Sequence, residues 1–206
     1  MQKKQPKIAL IDYETGNLKS VEQSCKKLGY TVQITRDAQT IEAADVLILP
    51  GQGAFAAAKQ SLDQHHLSDA VITHYQKGKA LLAICIGFQL LFSSSAEAPN
   101  TAGLGLFEGH FEHFDIRNGS VPHMGWNTVE LSNTIASHLP NSYFYFVHSY
   151  YTQAKVSGMD CFESDYHLPF TAMLYKNNLM ATQFHPEKSG EAGLALLDYF
   201  FKELSL

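Results

Sequence analysis

The sequence predicts an α/β protein with a mostly parallel sheet, helices on both of its faces and antiparallel hairpins added on one side. Three observations predict it. Short apolar runs alternate with helical patterns through the first half, which implies crossover connections and a buried parallel sheet. In the second half the turn pairs Asn118-Gly119 and Asn177-Asn178 punctuate aromatic and β-branched runs, a hairpin pattern. Hydrophobic residues make up 45% and charged residues 17% of a chain of 206. That is a globular composition at the length of one domain, 1–206.

Lys7 to Asp12 forms the first expected strand. Asn17 to Leu28 follows as a helix with Leu18, Val21, Cys25 and Leu28 on one stripe, stopped by Gly29. Thr31 to Thr35 and Asp45 to Leu49 are strands, the second closed by Pro50-Gly51. Ser68 to Tyr75 is helical, Ala80 to Ile84 is a strand, and Phe88 to Phe92 begins another helix. Ser93 to Thr101 is the one linker-like stretch, too short to separate domains. Phe107 to Asp115, Tyr143 to Val147, Met159 to Glu163, Thr171 to Tyr175 and Leu179 to Gln183 complete the strands. Ser189 is placed to cap a last helix striped by Leu194, Leu197, Phe201 and Leu204.

Fifteen basic against twenty acidic side chains leave a formal charge of -5. With no basic surplus to neutralise phosphates, nucleic acid is excluded as a partner. The longest apolar stretch, Ala80 to Phe92, is broken by Gly87 and Gln89 and falls short of the roughly 20 residues of a membrane span. The basic opening, Met1 to Lys7, runs into a segment holding Asp12 and Glu14. That is not a secretory signal, so a cytoplasmic protein is expected. Three widely spaced cysteines with no CxxC pair predict neither a disulfide framework nor a cysteine-based zinc site.

The local sequence separates those cysteines. Cys25 lies on a helical stripe and Cys161 mid-strand, so both read as core residues. Cys85 sits where the apolar strand Ala80–Ile84 meets a small-x-Cys-x-Gly pattern, Ala83-Ile84-Cys85-Ile86-Gly87. This is a thiol version of the nucleophile elbow, whose tight turn demands small neighbours. A helix start also favours thiolate over thiol. A candidate base follows in Phe184-His185-Pro186-Glu187. Proline biases His185 toward an extended conformation, and residues two apart in an extended chain point the same way. Glu187 then holds the imidazole while its other nitrogen faces the thiol, the logic of a nucleophile–base–orienter triad. Leu49-Pro50-Gly51-Gln52-Gly53-Ala54-Phe55 lacks the residues of a phosphate-binding loop. Its glycine-flanked backbone suits an oxyanion, with the Ile86 N–H as second donor. No metal or cofactor is expected. His65, His66 and His74 read as helix-surface residues, and His110 and His113 face opposite ways. His123 and Trp126 either cap a hairpin or, for Trp126, anchor a partner.

Cys85 within AICIGFQ, His185-Pro186-Glu187 within QFHPEKS, and PGQGAF together resemble class I glutamine amidotransferase domains. IDYETGNL, PHMGWN and YFVHSY narrow the resemblance to the family of glutaminase subunits of imidazole glycerol phosphate synthase. The likeness spans almost the whole chain. It implies a three-layer, flavodoxin-like fold and hydrolysis of L-glutamine through a glutamyl thioester, with Cys85, His185 and Glu187 catalytic. It implies Gly53 in the oxyanion strand and glutamine held by Gln89, Ser149 and Tyr150. It also implies a partner, a cyclase subunit with a (β/α)8 barrel, which takes the ammonia in histidine biosynthesis. Asn17, His123, Met124 and Trp126 would lie at that interface. Glu14 stands where the family has glycine, Ala83 replaces the first elbow glycine, and Gln52 replaces an apolar residue. The open alternatives are a glutaminase serving another synthase, a non-catalytic regulatory subunit of the same fold, and, from the triad alone, a cysteine peptidase.

Overall fold

The computed structural model describes residues 5–14 and 17–204. Thr15 and Gly16 of IDYETGNL, and the first four residues of the basic opening, lie outside the described residues.

The elements run β1 (Ile8–Ile11), α1 (Leu18–Lys27), β2 (Val32–Thr35), α2 (Ala38–Ala43), β3 (Val46–Leu49), α3 (Phe55–Gln64), α4 (Leu67–Gln76), β4 (Ala80–Ile84) and α5 (Ile86–Leu90). They continue as β5 (Phe92–Ser95), β6 (Phe107–His113), β7 (His123–Thr128), α6 (Asn133–Ala136), β8 (Tyr143–His148), β9 (Tyr150–Tyr151), β10 (Asp160–Asp165), β11 (Pro169–Lys176), β12 (Leu179–Thr182) and α7 (Gly190–Glu203). The main sheet has seven strands in the order β2-β1-β3-β4-β12-β11-β10. The first five are parallel. β11 and β10 add antiparallel pairs at the β12 edge. The order 2-1-3-4 followed by a late strand is that of the flavodoxin-like folds. β1, β3, β4 and β12 are buried at every residue, as strands covered on both faces must be. Helix α4 packs against both α2 and α3, and α1 and α7 both meet the turn 186–188. β7 and β8 form a separate hairpin, and β5, β6 and β9 a small third sheet.

Three local expectations change, and one helix appears where none was expected. Helix α5 stops at Leu90, and the stretch expected as linker opens with a strand, β5, parallel to β6. The reason is aromatic packing: the Phe92 ring lies 5.3–5.7 Å from Phe88, Phe107 and Phe111, which apolar residues in one short run could not signal. Helix α2 was not expected; Asp37 accepts from Thr40 N at 2.8 Å, and only Ile41 of its six residues is buried. His74 is buried rather than on the surface, its Nε2 2.9 Å from Ala80 O. Ser189 precedes α7 without capping it. Its hydroxyl donates to His185 O at 2.6 Å and accepts from Tyr145 N at 2.9 Å.

Candidate active site

The site stands at the carboxyl ends of β3, β4 and β12, where open α/β sheets bind ligands. Cys85 takes φ +53° and ψ −107° between β4 and α5. A non-glycine residue there carries strain of about 1–3 kcal/mol, a device concentrated at functional sites. The main chain is held on both sides: Cys85 N donates to Thr182 O at 2.7 Å, and Gln89 N donates to Cys85 O at 3.0 Å. The elbow is pressed against the turn after β3. A Cβ on Gly87 would fall 2.2 Å from Leu49 O, and one on Gly51 2.5 Å from Gly87 N. Both glycines are therefore required by backbone-to-backbone contact. Ala83 pairs in parallel with Leu49 of β3 and Ala181 of β12 and is fully buried.

His185 arrives from β12 on an extended residue, then the chain tightens into a 3₁₀ turn, Pro186–Lys188. Glu187 thus reaches the imidazole through a turn, not along a strand as expected. The contact is nonetheless made, with His185 Nδ1 2.8 Å from Glu187 Oε1 and both side chains buried. Burial pulls the imidazole pKa down. The charge and hydrogen-bonding capacity of Cys85, followed by those of Glu187, outweigh burial and push it up to about 9. The remaining nitrogen, Nε2, has no partner within strict hydrogen-bond geometry among the described residues. It is the atom free to exchange a proton with the thiol or its substrate, and such contacts commonly tighten only when substrate binds.

A cavity of about 450 Å³ joins Cys85, Ile86 and His185 to Gln52, Gly53, Gln89, Ser149 and Tyr150. The sequence-derived catalytic, oxyanion and substrate residues therefore meet in one place, with Glu187 behind His185. Gln89 is fully buried; its Nε2 donates to Gln183 Oε1 at 3.0 Å, and its Oε1 has no partner among the described residues. Gln183 went unnoticed in the sequence. It is buried, and its Nε2 lies 3.7 Å from Cys85 Sγ as a donor. Glu97, inside the expected linker, also lines the cavity. Burial raises its carboxyl pKa, although Phe55 N donates to it at 3.2 Å. His148, Lys188, Pro122 and Val147 complete the wall. For Gln183 the available signal was its position two residues before His185, on the same side of an extended chain. For Glu97 there was none, because β5 brings it in from a distance.

The expected interface residues divide. Met124 and Trp126 are 62% and 57% exposed. Asn17 is exposed and caps α1, accepting from Ser20 N at 3.2 Å. His123 is only 3% exposed, so it offers no surface to a partner. Alternation along β7 turns it inward, and it stacks on Phe146 and Tyr166 with ring centroids 4.7 and 4.0 Å away. The other cysteines carry no chemistry here. Cys25 is buried and its thiol pushed up to about 12 by desolvation. Cys161 is half-buried rather than core, its sulfur accepting from Val156 N at 3.4 Å. Among the described residues no His, Cys, Asp and Glu gather as a metal site, and no helix is long and apolar enough to cross a membrane.

Residues 9–204 match the family Glutamine amidotransferase class-I. The chain belongs to that family. Its curated relatives include three proteins named imidazole glycerol phosphate synthase subunit HisH. That of Deinococcus radiodurans is 41% identical over 204 residues, covering 97% of this chain and 95% of its own length. That of Thermus thermophilus is 42% identical over 192 residues, covering 93% and 94%. That of Acinetobacter baylyi is 43% identical over 199 residues, covering 94% and 97%. Among solved structures, one described as a glutamine amidotransferase superposes with a TM-score of 0.75 at 20% identity, covering 96% of this chain and 99% of its own. A chain of PurLQS from Thermotoga maritima superposes at 0.70 with 16% identity, covering 98% and 100%. These two bear on the fold alone.

Proposed function

We propose that the chain is the glutaminase subunit of an imidazole glycerol phosphate synthase, hydrolysing L-glutamine to L-glutamate and ammonia. One observation carries the reading: a strained Cys85 shares its cavity with a His185 whose far nitrogen is held by a buried Glu187. With the imidazole protonated by the joint influence of Cys85 and Glu187, the sulfur attacks as thiolate on the side-chain amide carbon. The C–S bond forms and the carbonyl becomes an oxyanion. The main-chain N–H of Ile86 and the Gly53 turn supply its donors, each worth about 2.7–4 kcal/mol. As the oxyanion collapses, the C–N bond breaks and His185 Nε2 gives its proton to the departing ammonia. The γ-glutamyl thioester remains. Water then loses a proton to Nε2 and attacks; the C–S bond breaks, and glutamate leaves with the thiolate restored. Glu187 does not transfer a proton in this scheme. It fixes the ring and stabilises its cation.

The substrate's other end meets complementary groups. The unpartnered Gln89 Oε1 and the Glu97 carboxylate suit an α-ammonium. Ser149 and Tyr150 stand on the same wall. The names of the HisH relatives support histidine biosynthesis as the setting. The partner is a cyclase subunit with a (β/α)8 barrel, which uses the ammonia to make imidazole glycerol phosphate and aminoimidazole carboxamide ribotide. Ammonia set free in water becomes ammonium, which is no nucleophile, so direct transfer is required. Met124 and Trp126 supply the exposed apolar anchors of that interface, and the exposed Asn17 is assigned to it as well. No cofactor takes part.

The test is glutamate release by Cys85→Ala, with folding followed by circular dichroism. The variant stays folded and its rate falls roughly a thousand-fold or more. A folded variant that still hydrolyses glutamine would overturn the assignment. The isolated chain is expected to turn over slowly, and faster once the cyclase and its ribotide ligand are added.

A further inference from the structure

The buried hydrogen-bonded pair His123 and His148 has no role in the chemistry above. His123 Nδ1 lies 3.0 Å from His148 Nε2. His148 Nδ1 lies 2.8 Å from the carbonyl oxygen of Tyr150, and His123 Nε2 lies 3.2 Å from Asn127 Nδ2. The ends of this chain fix every proton in it. A carbonyl only accepts, so His148 Nδ1 must carry hydrogen and, in a neutral ring, Nε2 must not. His123 Nδ1 is then the donor, which leaves His123 Nε2 as an acceptor. At the far end Asn127 Oδ1 accepts from Thr128 N at 2.8 Å, and its Nδ2 donates to Asp165 O at 2.7 Å. The amide orientation is therefore settled, with Nδ2 presenting its second hydrogen to His123. Each link agrees with the next, and only one direction of donation fits.

The surroundings keep both rings neutral. Phe114, Phe146 and Phe170 lie around the pair, with centroids 5.2–5.6 Å from His148 and 4.7–6.4 Å from His123. A proton added to the junction would set two N–H groups head to head across 3.0 Å. The titratable groups facing the pair act in the same sense: His185 faces His148 and His167 faces His123, each opposing a second positive charge. Burial is the largest influence and pushes His148 down to about 3 and His123 to about 4.

We propose that His148, locked by His123 as a neutral Nδ1–H ring, is the positioning residue for the Ser149–Tyr150 wall of the glutamine site. The inference deepens the proposed function, because it names what holds that wall. His148 lines the cavity itself, and its donor ends on the Tyr150 carbonyl. Side chains at 149 and 150 therefore present to substrate from a strand pinned at its own backbone. The pin is anchored in turn on β7 and on Asp165 of β10.

The experiment is imidazole ¹⁵N NMR on the full chain, followed by substitutions. Both rings are expected as the Nδ1–H tautomer, the minor form of free histidine, with neither titrating between pH 5 and 9. A ring found as Nε2–H, or titrating near 6.5, would overturn the proposal whatever the reaction catalysed. The substitutions then separate positioning from mere packing. Asn places its amide nitrogen where Nδ1 lies, whereas Gln reaches the Nε2 position without the Nδ1 donor. His148→Gln is expected to raise KM for glutamine about tenfold or more with a smaller change in kcat, and His148→Asn to raise it several-fold less. Equal KM in two folded variants would refute the positioning role. If either variant fails to fold, the part-buried Asn127→Ala, which frees the far end of the His123–His148 series, replaces it: KM for glutamine is expected to rise, and an unchanged KM would refute the positioning role. Should the tautomers be found as stated while glutamine proves not to be a substrate, the proposed function fails and the locked pair stands.

Discussion

The parallel block and the β7/β8 hairpin meet at one cavity but are built on opposite terms. In the block, β1, β3, β4 and β12 are buried throughout. Their ends carry Cys85 and the approach to His185. In the hairpin, side chains alternate inward and outward, so that His123 is enclosed while Met124 and Trp126 stand in solvent. The first region can hold a strained nucleophile because every neighbour is fixed. The second can change its outer face without disturbing its inner one. Under the proposed function, chemistry resides where the chain has no freedom, and recognition where half of it is free.

The sharpest way to break this contrast is at Gly87. A Cβ there meets Leu49 O at 2.2 Å and Pro50 O at 3.1 Å, both backbone atoms of the neighbouring turn. Gly87→Val is expected to cost about 3 kcal/mol or more through overpacking, read as a lower urea midpoint, and to abolish glutaminase activity. A variant of unchanged stability would mean that the block yields more than its burial implies.

Gln183 tests the chemistry with less damage to the fold. Gln183→Leu removes the donor at 3.7 Å from the Cys85 sulfur and strands Gln89 Nε2. A hydrogen bond to a charged group contributes about 1.5–3 kcal/mol, so kcat/KM should fall roughly ten- to a hundred-fold. The rate of Cys85 alkylation should also fall. An unchanged alkylation rate would show that the amide does not serve the sulfur.

A third effect is a matter of pH. The folded imidazole of His185 is raised to about 9 from an unfolded value near ~6.5. The native state therefore binds this proton more tightly. Its stabilisation is complete below about 6.5 and is lost as pH rises toward about 9. Imidazole ¹⁵N titration should find His185 protonated well above 6.5. The titration should move down in Cys85→Ala, which removes the largest influence that raises the value while leaving the burial that lowers it.

The parallel block was legible in the sequence because a strand buried on both faces leaves an unbroken apolar run. Cys85 and His185 were legible because each is flanked by residues that its backbone demands: Gly87 against the turn after β3, and Pro186 at the start of a helical turn. Sequence could not reveal what depends on contacts between distant segments. His123 sits in a polar-looking PHMGWN, yet its place is decided by Phe146 and Tyr166. Glu97 enters the cavity only because Phe92 turns the supposed linker into a strand. Ser189 looked like a helix cap and instead ties the His185 carbonyl to β8. Local patterns predict local needs; polar side chains with two possible uses are assigned by whichever neighbour the fold delivers.

The smallest effect on the isolated chain is expected at Trp126. Its ring is 57% exposed and meets Tyr145 edge-on at 6.1 Å, so little burial is lost on truncation. Trp126→Ala should change stability by no more than about 0.5 kcal/mol, the usual range for surface positions. His148 and the pocket wall stay in place, because β7 keeps its inward residues, and glutamate release by the chain alone should be nearly unaltered. Docking is another matter. An exposed tryptophan that becomes buried at the centre of an interface commonly contributes about 2 kcal/mol or more. Titration calorimetry with the cyclase subunit should then show roughly thirtyfold weaker binding. If instead the variant binds normally but loses stability, the outer face of the hairpin belongs to the fold. The division between a fixed catalytic block and a free recognition strand would have to be redrawn.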